Sequence, residues 1–444
     1  MNALDQAADH FTAEYHRVAA GLPGASLPWL VRLREEGLAA FRFPTPQDED
    51  WKYTRTQVLA RRGFVFDPEA GGTLDVARLD SLLPAEMPCH RVVFVNGRWR
   101  PELSDLSGLS GGVSVCGLAE ALATRPDQVA ATLGCIADAR RHPFVALNNA
   151  FNADGVVIQV APGVVLGMAI HVLLLVTPEH GGKVSHPRIV VDAGTRSEAT
   201  LIETYAADST VASWTNTVTE IRLQDKACLK HYRFEDESAK AFHTAGVHVD
   251  QARDSRYDAC TFTAGGLLAR SDVDVRLNAP GAECTLNGLY LAGGRQHMDH
   301  HTRVDHLQPH CRSNELYKGV LDGHGRGVFN GKTIVHPQAQ KSDARQANHN
   351  LLLSEHAEAD TRPELEIYAD DVKCAHGATV GQLNGDALFY LRARGLSLDD
   401  ARAALTYGFC REIVDTVELP ALRDHWRKIV LARLPGEARI EEES

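Results

Sequence analysis

Hydrophobic positions at the start of the chain recur every three or four residues, as they do in amphipathic helices. Phe11, Tyr15 and Val18 follow this spacing, and similar runs continue between Pro-containing turns. A short strand is predicted at 91–95, where an apolar run precedes an Asn-Gly turn signal. The pattern therefore predicts a helical region with some α/β character over 1–150.

The pattern changes after residue 150, where short β-rich runs recur about every 11 to 18 residues and glycine-containing turns separate many of them. This strand-rich segment is too long for a single β-sandwich domain. It therefore predicts either two β domains or a β-solenoid. We favour a solenoid over 151–383, because its coils need no strict sequence repeat when each strand points apolar residues inward. The predicted strands include 156–160, 170–176, 188–191, 200–205, 215–223, 272–277 and 364–368.

Helical spacing returns in the last segment, 384–444, which is predicted to be a helical domain. Ser397 and Asp400 match a capping box at the start of one amphipathic helix, and a second helix is predicted over 420–434. Two packed helices would then finish the fold, followed by a frayed acidic tail at 437–444. The apolar stripe of the first helix consists of Ala401, Ala404, Leu405, Phe409, Ile413 and Val417.

Charge and composition narrow the classes of partner. The chain has 46 Lys and Arg against 58 Asp and Glu, a net charge of −12, which argues against nucleic-acid binding. No stretch approaches the roughly 20 apolar residues that span a bilayer, and no signal peptide is visible, so we predict a cytoplasmic protein without a membrane partner. Nine scattered cysteines without a CxxC pair predict reduced thiols rather than a disulfide framework.

Histidine is the residue most suggestive of chemistry, because ten of the 21 histidines lie within 297–376. Imidazole is a common transition-metal ligand, and Cys374 and His376 would face the same side of a strand. Phosphate-binding, dinucleotide-binding and serine-hydrolase motifs are missing, and the glycine-rich 323–327 is predicted to be a tight corner. A metal-dependent or carbohydrate-active enzyme using the histidines and nearby aspartates remains the alternative function. The aspartates considered are Asp299, Asp305, Asp322, Asp370 and Asp371.

Three long stretches carry a specific resemblance. RVDHLQPHCRSNELYKGVLDGHGRGVFNGKTIV (303–335), ARQANHNLLLSEHAEADTRPELEIYADDVKCAHGATVGQL (344–383) and LFYLRARGLSLDDAR (388–402) resemble the SufB/SufD family of the SUF iron-sulfur cluster assembly system. EDWKYT at 49–54 resembles the SufD signature rather than that of SufB. The resemblance implies a right-handed parallel β-helix between an N-terminal helical region and a C-terminal helical domain.

The same resemblance implies a role without catalysis. It implies a scaffold subunit that pairs with a SufB-like subunit through the β-helices, while the C-terminal helices dock a SufC-like ABC ATPase that hydrolyses the ATP. The docking surface would be left by the apolar stripes. Its predicted residues include Ala401, Leu405, Phe409 and Ile413.

The resemblance also implies where the cluster forms. His376 matches the family histidine linked to assembly at the SufB interface and is assigned as a ligand of transient iron, with Cys374 as the weaker candidate. The principal cluster ligands would lie in the partner, so we expect no stably bound cofactor on the isolated chain and a transient iron-sulfur cluster in the complex. Binding of reduced flavin to the complex and formation of a homodimer by the isolated chain stay open.

Overall fold

The computed structural model describes residues 3–74, 79, 82–84, 87–208 and 210–434, so the predicted acidic tail at 437–444 lies outside the described residues. The helices are α1 (Ala3–Val18), α2 (Pro28–Ala40), α3 (Gln57–Ala60), α4 (Leu118–Thr124), α5 (Pro126–Ala130), α6 (Pro143–Phe151), α7 (Gly385–Ala393), α8 (Leu398–Val414) and α9 (Pro420–Arg433). The first strands are β1 (Val65–Phe66), β2 (Cys89–Val95), β3 (Arg98–Trp99), β4 (Val113–Gly117), β5 (Gly155–Val160), β6 (Ala169–Val176), β7 (Lys183–Ser185), β8 (Arg188–Ala193), β9 (Glu198–Ala207) and β10 (Trp214–Leu223). They are followed by β11 (Cys228–Asp236), β12 (Phe242–Gln251), β13 (Arg256–Thr263), β14 (Leu268–Leu277), β15 (Glu283–Ala292), β16 (His297–His306), β17 (Arg312–Leu321), β18 (Arg326–Val335), β19 (Asp343–Leu352), β20 (Glu358–Ile367) and β21 (Lys373–Gly381).

The strands from β5 onward form a parallel β-solenoid of about eight turns, which confirms the predicted fold class. Successive coils place their strands alternately in two sheets, so that β10 pairs with β12, β12 with β14 and β11 with β13, all in parallel. Ile221, Val249, Val275 and Val304 are register partners in one sheet and are all fully buried. Such ladders of β-branched side chains fill the interior and stabilise the stack of coils.

The glycine-rich segment 323–327 forms the corner that its composition predicts. Gly323 has a φ of +63°, which L-residues rarely adopt, and β18 begins at Arg326. A Cβ atom on Gly325 would lie 2.2 Å from the backbone oxygen of Ala292. Glycine is therefore needed here for a turn and for close contact between neighbouring coils.

The N-terminal region packs against the first turns of the solenoid. β2 extends one sheet beside β6, and Asn96 and Gly97, both with positive φ, form the tight turn to β3 that the Asn-Gly signal predicts. Phe11 of α1 packs edge-on against Phe151 of α6 and Trp214 of β10, which joins the helices to the strands. α6 was not predicted, because nearly all of its residues are buried and its sequence lacks an amphipathic period.

The C-terminal domain contains three described helices rather than the two that were predicted. The additional helix is α7, where the side chain of Asn384 accepts a hydrogen bond from the backbone N–H of Ala387 at 2.9 Å. α8 begins at the predicted capping box, since the backbone N–H of Asp400 donates to Oγ of Ser397 at 3.1 Å. No described helix has the length and apolar composition needed to cross a membrane.

Much of the predicted docking stripe on α8 is buried against the rest of the chain. Ala401 and Ile413 are both 0% exposed, whereas Leu405 and Phe409 are partly exposed. The helix packs on β15 and β17, and Lys318 of β17 donates to the backbone oxygen of Phe409 at 3.1 Å. The 3.6-residue period showed which face is apolar, but the solenoid itself covers that face.

Candidate functional site

The last turn of the solenoid is an open end. β20 pairs only with β18, and β21 pairs only with β19, so within the described part of the chain no strand covers their outer edges. Most of β21 is exposed, and so are the side chains of Ile367 (43%), Tyr368 (60%) and Val380 (47%). An uncovered edge presents unpaired backbone N–H and C=O groups to which another strand can pair.

Cys374 and His376 lie on this final strand, two residues apart. Their register partners on β19 are Ala344 and Gln346, which are buried and face the solenoid interior. Because side chains alternate along a strand, Cys374 and His376 are directed towards the same axis, at its open end. His376 is exposed, whereas Cys374 is half-buried against a small cluster of Val335, Ala339 and Ala369, and burial raises the pKa of its thiol.

Two polar residues of the preceding coils stack in register with His376 along the solenoid. Gln346 is the register partner of Glu315, so His376, Gln346 and Glu315 occupy equivalent positions on three successive coils. Glu315 is 1% exposed and accepts hydrogen bonds from Oγ1 of Thr302 at 2.5 Å and from Nε2 of Gln346 at 3.4 Å. No described Lys, Arg or His forms an ion pair with it, and burial raises the pKa of Glu315 to about 7.

The other histidines of 297–376 do not gather around one centre. His300 stacks on Tyr290 in the interior, at a centroid distance of 5.0 Å, and His324 stacks on His356 at a corner, at 4.9 Å. Asp299 is buried and pairs with Arg270 at 2.9 Å. Among the described residues of this segment, no three His, Cys, Asp or Glu side chains come close enough to hold a metal ion together.

The structure also reveals an aromatic surface that sequence reasoning missed. α7 has no buried residue, and Phe389 and Tyr390 on it are 75% and 57% exposed. Leu398, at the start of α8, is 44% exposed. In the sequence these residues are visible only as apolar side chains. The helix that carries two of them is too short to show a clear hydrophobic period. Large exposed apolar residues near one another mark candidate interaction sites.

Family comparisons agree with this architecture. The model of the SUF system FeS cluster assembly, SufBD core domain, matches residues 175–409, and that of the SufBD protein N-terminal region matches residues 5–172. The chain belongs to the SufBD family. This confirms the resemblance found in the sequence, and the chain is thereby a component of iron-sulfur cluster assembly.

Individual relatives match along most of their length. An iron-sulfur cluster assembly SufBD family protein of Synechocystis is 33% identical over 404 residues, which cover 89% of this chain and 88% of the relative. Iron-sulfur cluster assembly protein SufD of Escherichia coli is 31% identical over 89% of this chain and 90% of its own. Protein ABCI7, chloroplastic, of Arabidopsis thaliana is 30% identical over 92% of this chain and 86% of its own length.

Proposed function

We propose that this chain is a non-catalytic scaffold subunit of the SUF machinery that pairs with a SufB-like chain through the open end of its solenoid. The observation that carries the proposal is the pair of uncovered edges on β20 and β21. Two long exposed edges invite a partner that adds strands to both sheets, and backbone hydrogen bonds would then supply much of the affinity. Membership of the SufBD family makes a second solenoid a suitable partner.

Pairing at this end would enclose His376 and Cys374 between two chains. The exposed imidazole can offer one nitrogen lone pair to incoming iron, and the thiol two residues away can offer a second, softer donor after losing its proton. Burial opposes that proton loss by raising the pKa of Cys374, so His376 is the stronger candidate ligand. In this proposal iron and sulfide are cargo, held transiently while the partner supplies the remaining ligands.

If this chain is a scaffold, ATP is hydrolysed by another subunit, a SufC-like ABC ATPase. The sequence has no phosphate-binding loop of its own. We place the docking surface on α7 and on the partly exposed Leu405 and Phe409 of α8, because Ala401 and Ile413 of the same stripe are fully buried. Phe389 and Tyr390 are the proposed aromatic anchors.

Replacing both Phe389 and Tyr390 by alanine is expected to weaken ATPase binding by at least about 30-fold, since truncating even one interface anchor costs about 2 kcal/mol. Both side chains are exposed, so the free energy of unfolding should change by less than about 1 kcal/mol. Titration calorimetry with the purified ATPase measures the affinity. Val165→Ala, at a 62% exposed residue in the first turns of the solenoid, is the control; equal affinities of the double variant and this control would place docking elsewhere.

Substitution is a cleaner test than deletion of the C-terminal domain. Trp426 of α9 packs against Phe234 and Phe262 at centroid distances of 6.2 and 5.6 Å. Removing the helices would expose these aromatic side chains of the solenoid, so a truncated chain would lose core packing together with any docking surface.

Further parts of the proposal concern cofactors, oligomeric state and location. At its open end the isolated chain holds no stable cluster or other cofactor, because a single His–Cys pair offers too few ligands for a cluster that normally takes four. The same open end can pair two copies into a homodimer when the partner is missing. Reduced flavin, if it takes part, binds the complex rather than this chain alone, and we place that complex in the cytoplasm.

The enzyme alternative lacks a site within the histidine-rich segment. Of the aspartates considered for it, Asp299 pairs with Arg270 and Asp305 with Arg303, and their carboxylates are thereby occupied. Anaerobic co-expression with SufB-like and SufC-like chains distinguishes the two functions. We expect an affinity tag on this chain to retain both partners; purification of this chain alone, with no partner retained, would contradict the scaffold assignment.

A further inference from the structure

Two histidines and one aspartate from distant parts of the chain meet where the N-terminal region contacts the solenoid. His142 directly precedes α6, while His248 on β12 and Asp274 on β14 are register partners. Nε2 of His142 lies 2.7 Å from Oδ2 of Asp274, and Nδ1 of His248 lies 3.8 Å from the same oxygen. One ligand atom from each residue lies within 4.8 Å of the other two.

His248 is a buried imidazole that packs edge-on against the ring of His142, at a centroid distance of 5.0 Å. The residue is 2% exposed, its Nε2 is buried without a hydrogen-bond partner, and its Nδ1 makes no hydrogen bond to any described residue. Nδ1 is the nitrogen that faces Asp274, so it is the atom of His248 that could bind an ion held by that carboxylate, whereas Nε2 lies on the other side of the ring, beside Gly246. The ring also requires a glycine beside it, because a Cβ atom on Gly246 would lie 2.8 Å from Nε2.

We propose that His142, His248 and Asp274 bind one divalent first-row transition-metal ion. Two imidazoles and a carboxylate are a ligand set used for Zn²⁺ and Fe²⁺. Ligand atoms about 2.0–2.1 Å from a tetrahedral ion lie about 3.3 Å apart, and the observed 2.7 and 3.8 Å separations fall on either side of that value. Binding an ion would lengthen the His142–Asp274 separation and shorten the His248–Asp274 separation.

The surroundings suit an ion that keeps a water ligand. His142 and Asp274 also line a cavity of about 310 Å³, whose other lining residues include the charged Asp272 and Arg303. The side chains of His142 and Asp274 are 12% and 18% exposed, so the site can be reached from this cavity. The bound ion would join the start of α6 to two neighbouring coils of the solenoid. This site shares no residue with the open end, and the inference does not depend on the proposed function.

The test uses the full chain after chelator treatment, kept reduced and free of oxygen. We expect one equivalent of Co²⁺ to remain bound after desalting, with visible d–d absorption and no intense thiolate band, and we expect Zn²⁺ to raise the melting temperature where Mg²⁺ does not. His248→Ala and Asp274→Asn should each weaken Co²⁺ binding by about tenfold or more. His142→Ala provides a third variant at a less buried position, should His248→Ala fail to fold.

His180→Ala is the matched control. His180 is 1% exposed and neither of its nitrogens has a hydrogen-bond partner, yet it belongs to no group of possible ligands among the described residues. This variant should bind Co²⁺ as the unsubstituted chain does. Failure of the unsubstituted chain to retain Co²⁺ would overturn the proposal, and so would undiminished binding by the folded His248 and Asp274 variants.

Discussion

His376→Ala is expected to lower the iron and acid-labile sulfide content of the co-expressed complex by about tenfold or more, because His376 is the proposed iron ligand and loss of even a group that supports a ligand weakens metal binding by about that factor. The stability of the chain should hardly change. His376 is exposed, and surface substitutions usually alter the free energy of unfolding by less than about 0.5 kcal/mol. Iron, sulfide and melting temperature are measured on the same preparations.

His324→Ala serves as the control for this result. His324 is also an exposed histidine of the same histidine-rich segment, but it stacks on His356 at a corner of the solenoid, away from the final strand. Its loss should leave the cluster content unchanged. The role assigned to His376 fails if its alanine variant keeps a full cluster content, or if stability and cluster content fall in proportion.

Glu315→Gln is expected to stabilise the chain by up to about 3 kcal/mol at pH 8. This value follows from the difference between a pKa of about 7 in the folded chain and about 4.5 in the unfolded chain. Burial without a cationic partner disfavours the carboxylate, whereas glutamine keeps the shape of the side chain and stays neutral. Denaturant unfolding at several pH values measures the effect.

The pH dependence has a definite sign. Below about pH 4.5 the carboxyl of Glu315 is protonated in both states, so the variant and the unsubstituted chain should be about equally stable. As the pH rises towards 7, the unfolded chain releases the proton while the folded chain retains it, and the free energy of unfolding falls. Above about pH 7 both states are ionised and the gain from Glu315→Gln reaches its full value.

Glu220→Gln is the matched control with the opposite expectation. Glu220 is equally buried, but it pairs with Arg188 at 2.6 Å and accepts hydrogen bonds from backbone N–H groups of the N-terminal region. Burial alone would raise its pKa, but these partners lower it overall, so the ionised form stabilises the fold. Glu220→Gln should therefore destabilise the chain at pH 8. A Glu315→Gln variant without a pH-dependent gain would show that Glu315 is not held protonated.

Strand positions were predictable from the sequence, whereas the coil repeat was not. The run 215–223 was predicted as a strand, and the observed strand is Trp214–Leu223. Trp214, Phe242, Leu268 and His297 occupy equivalent register positions on successive coils, although they are chemically different. A solenoid fixes which positions stack, but each position needs only a side chain that fits its neighbours, so no sequence period results.

The sequence could predict which side chains lie close together only when the residues are near one another in the sequence. The two-residue spacing of Cys374 and His376 was enough to place both on one side of a strand. Clustering of histidines along the sequence was misleading, because neighbouring segments pass through different sheets and only residues about one coil apart become adjacent. The meeting of His142 with His248 and Asp274 depends on such coiling and on the N-terminal region, and local sequence has no signal for it.

The central claim is that the cluster assembles only when the open end of this solenoid is paired. The most direct test is the iron and acid-labile sulfide content of the anaerobically co-expressed complex, measured beside that of the isolated chain after reconstitution and desalting. We expect iron and sulfide in the complex and an essentially colourless isolated chain. A stable, stoichiometric iron-sulfur cluster on the isolated chain would contradict the claim.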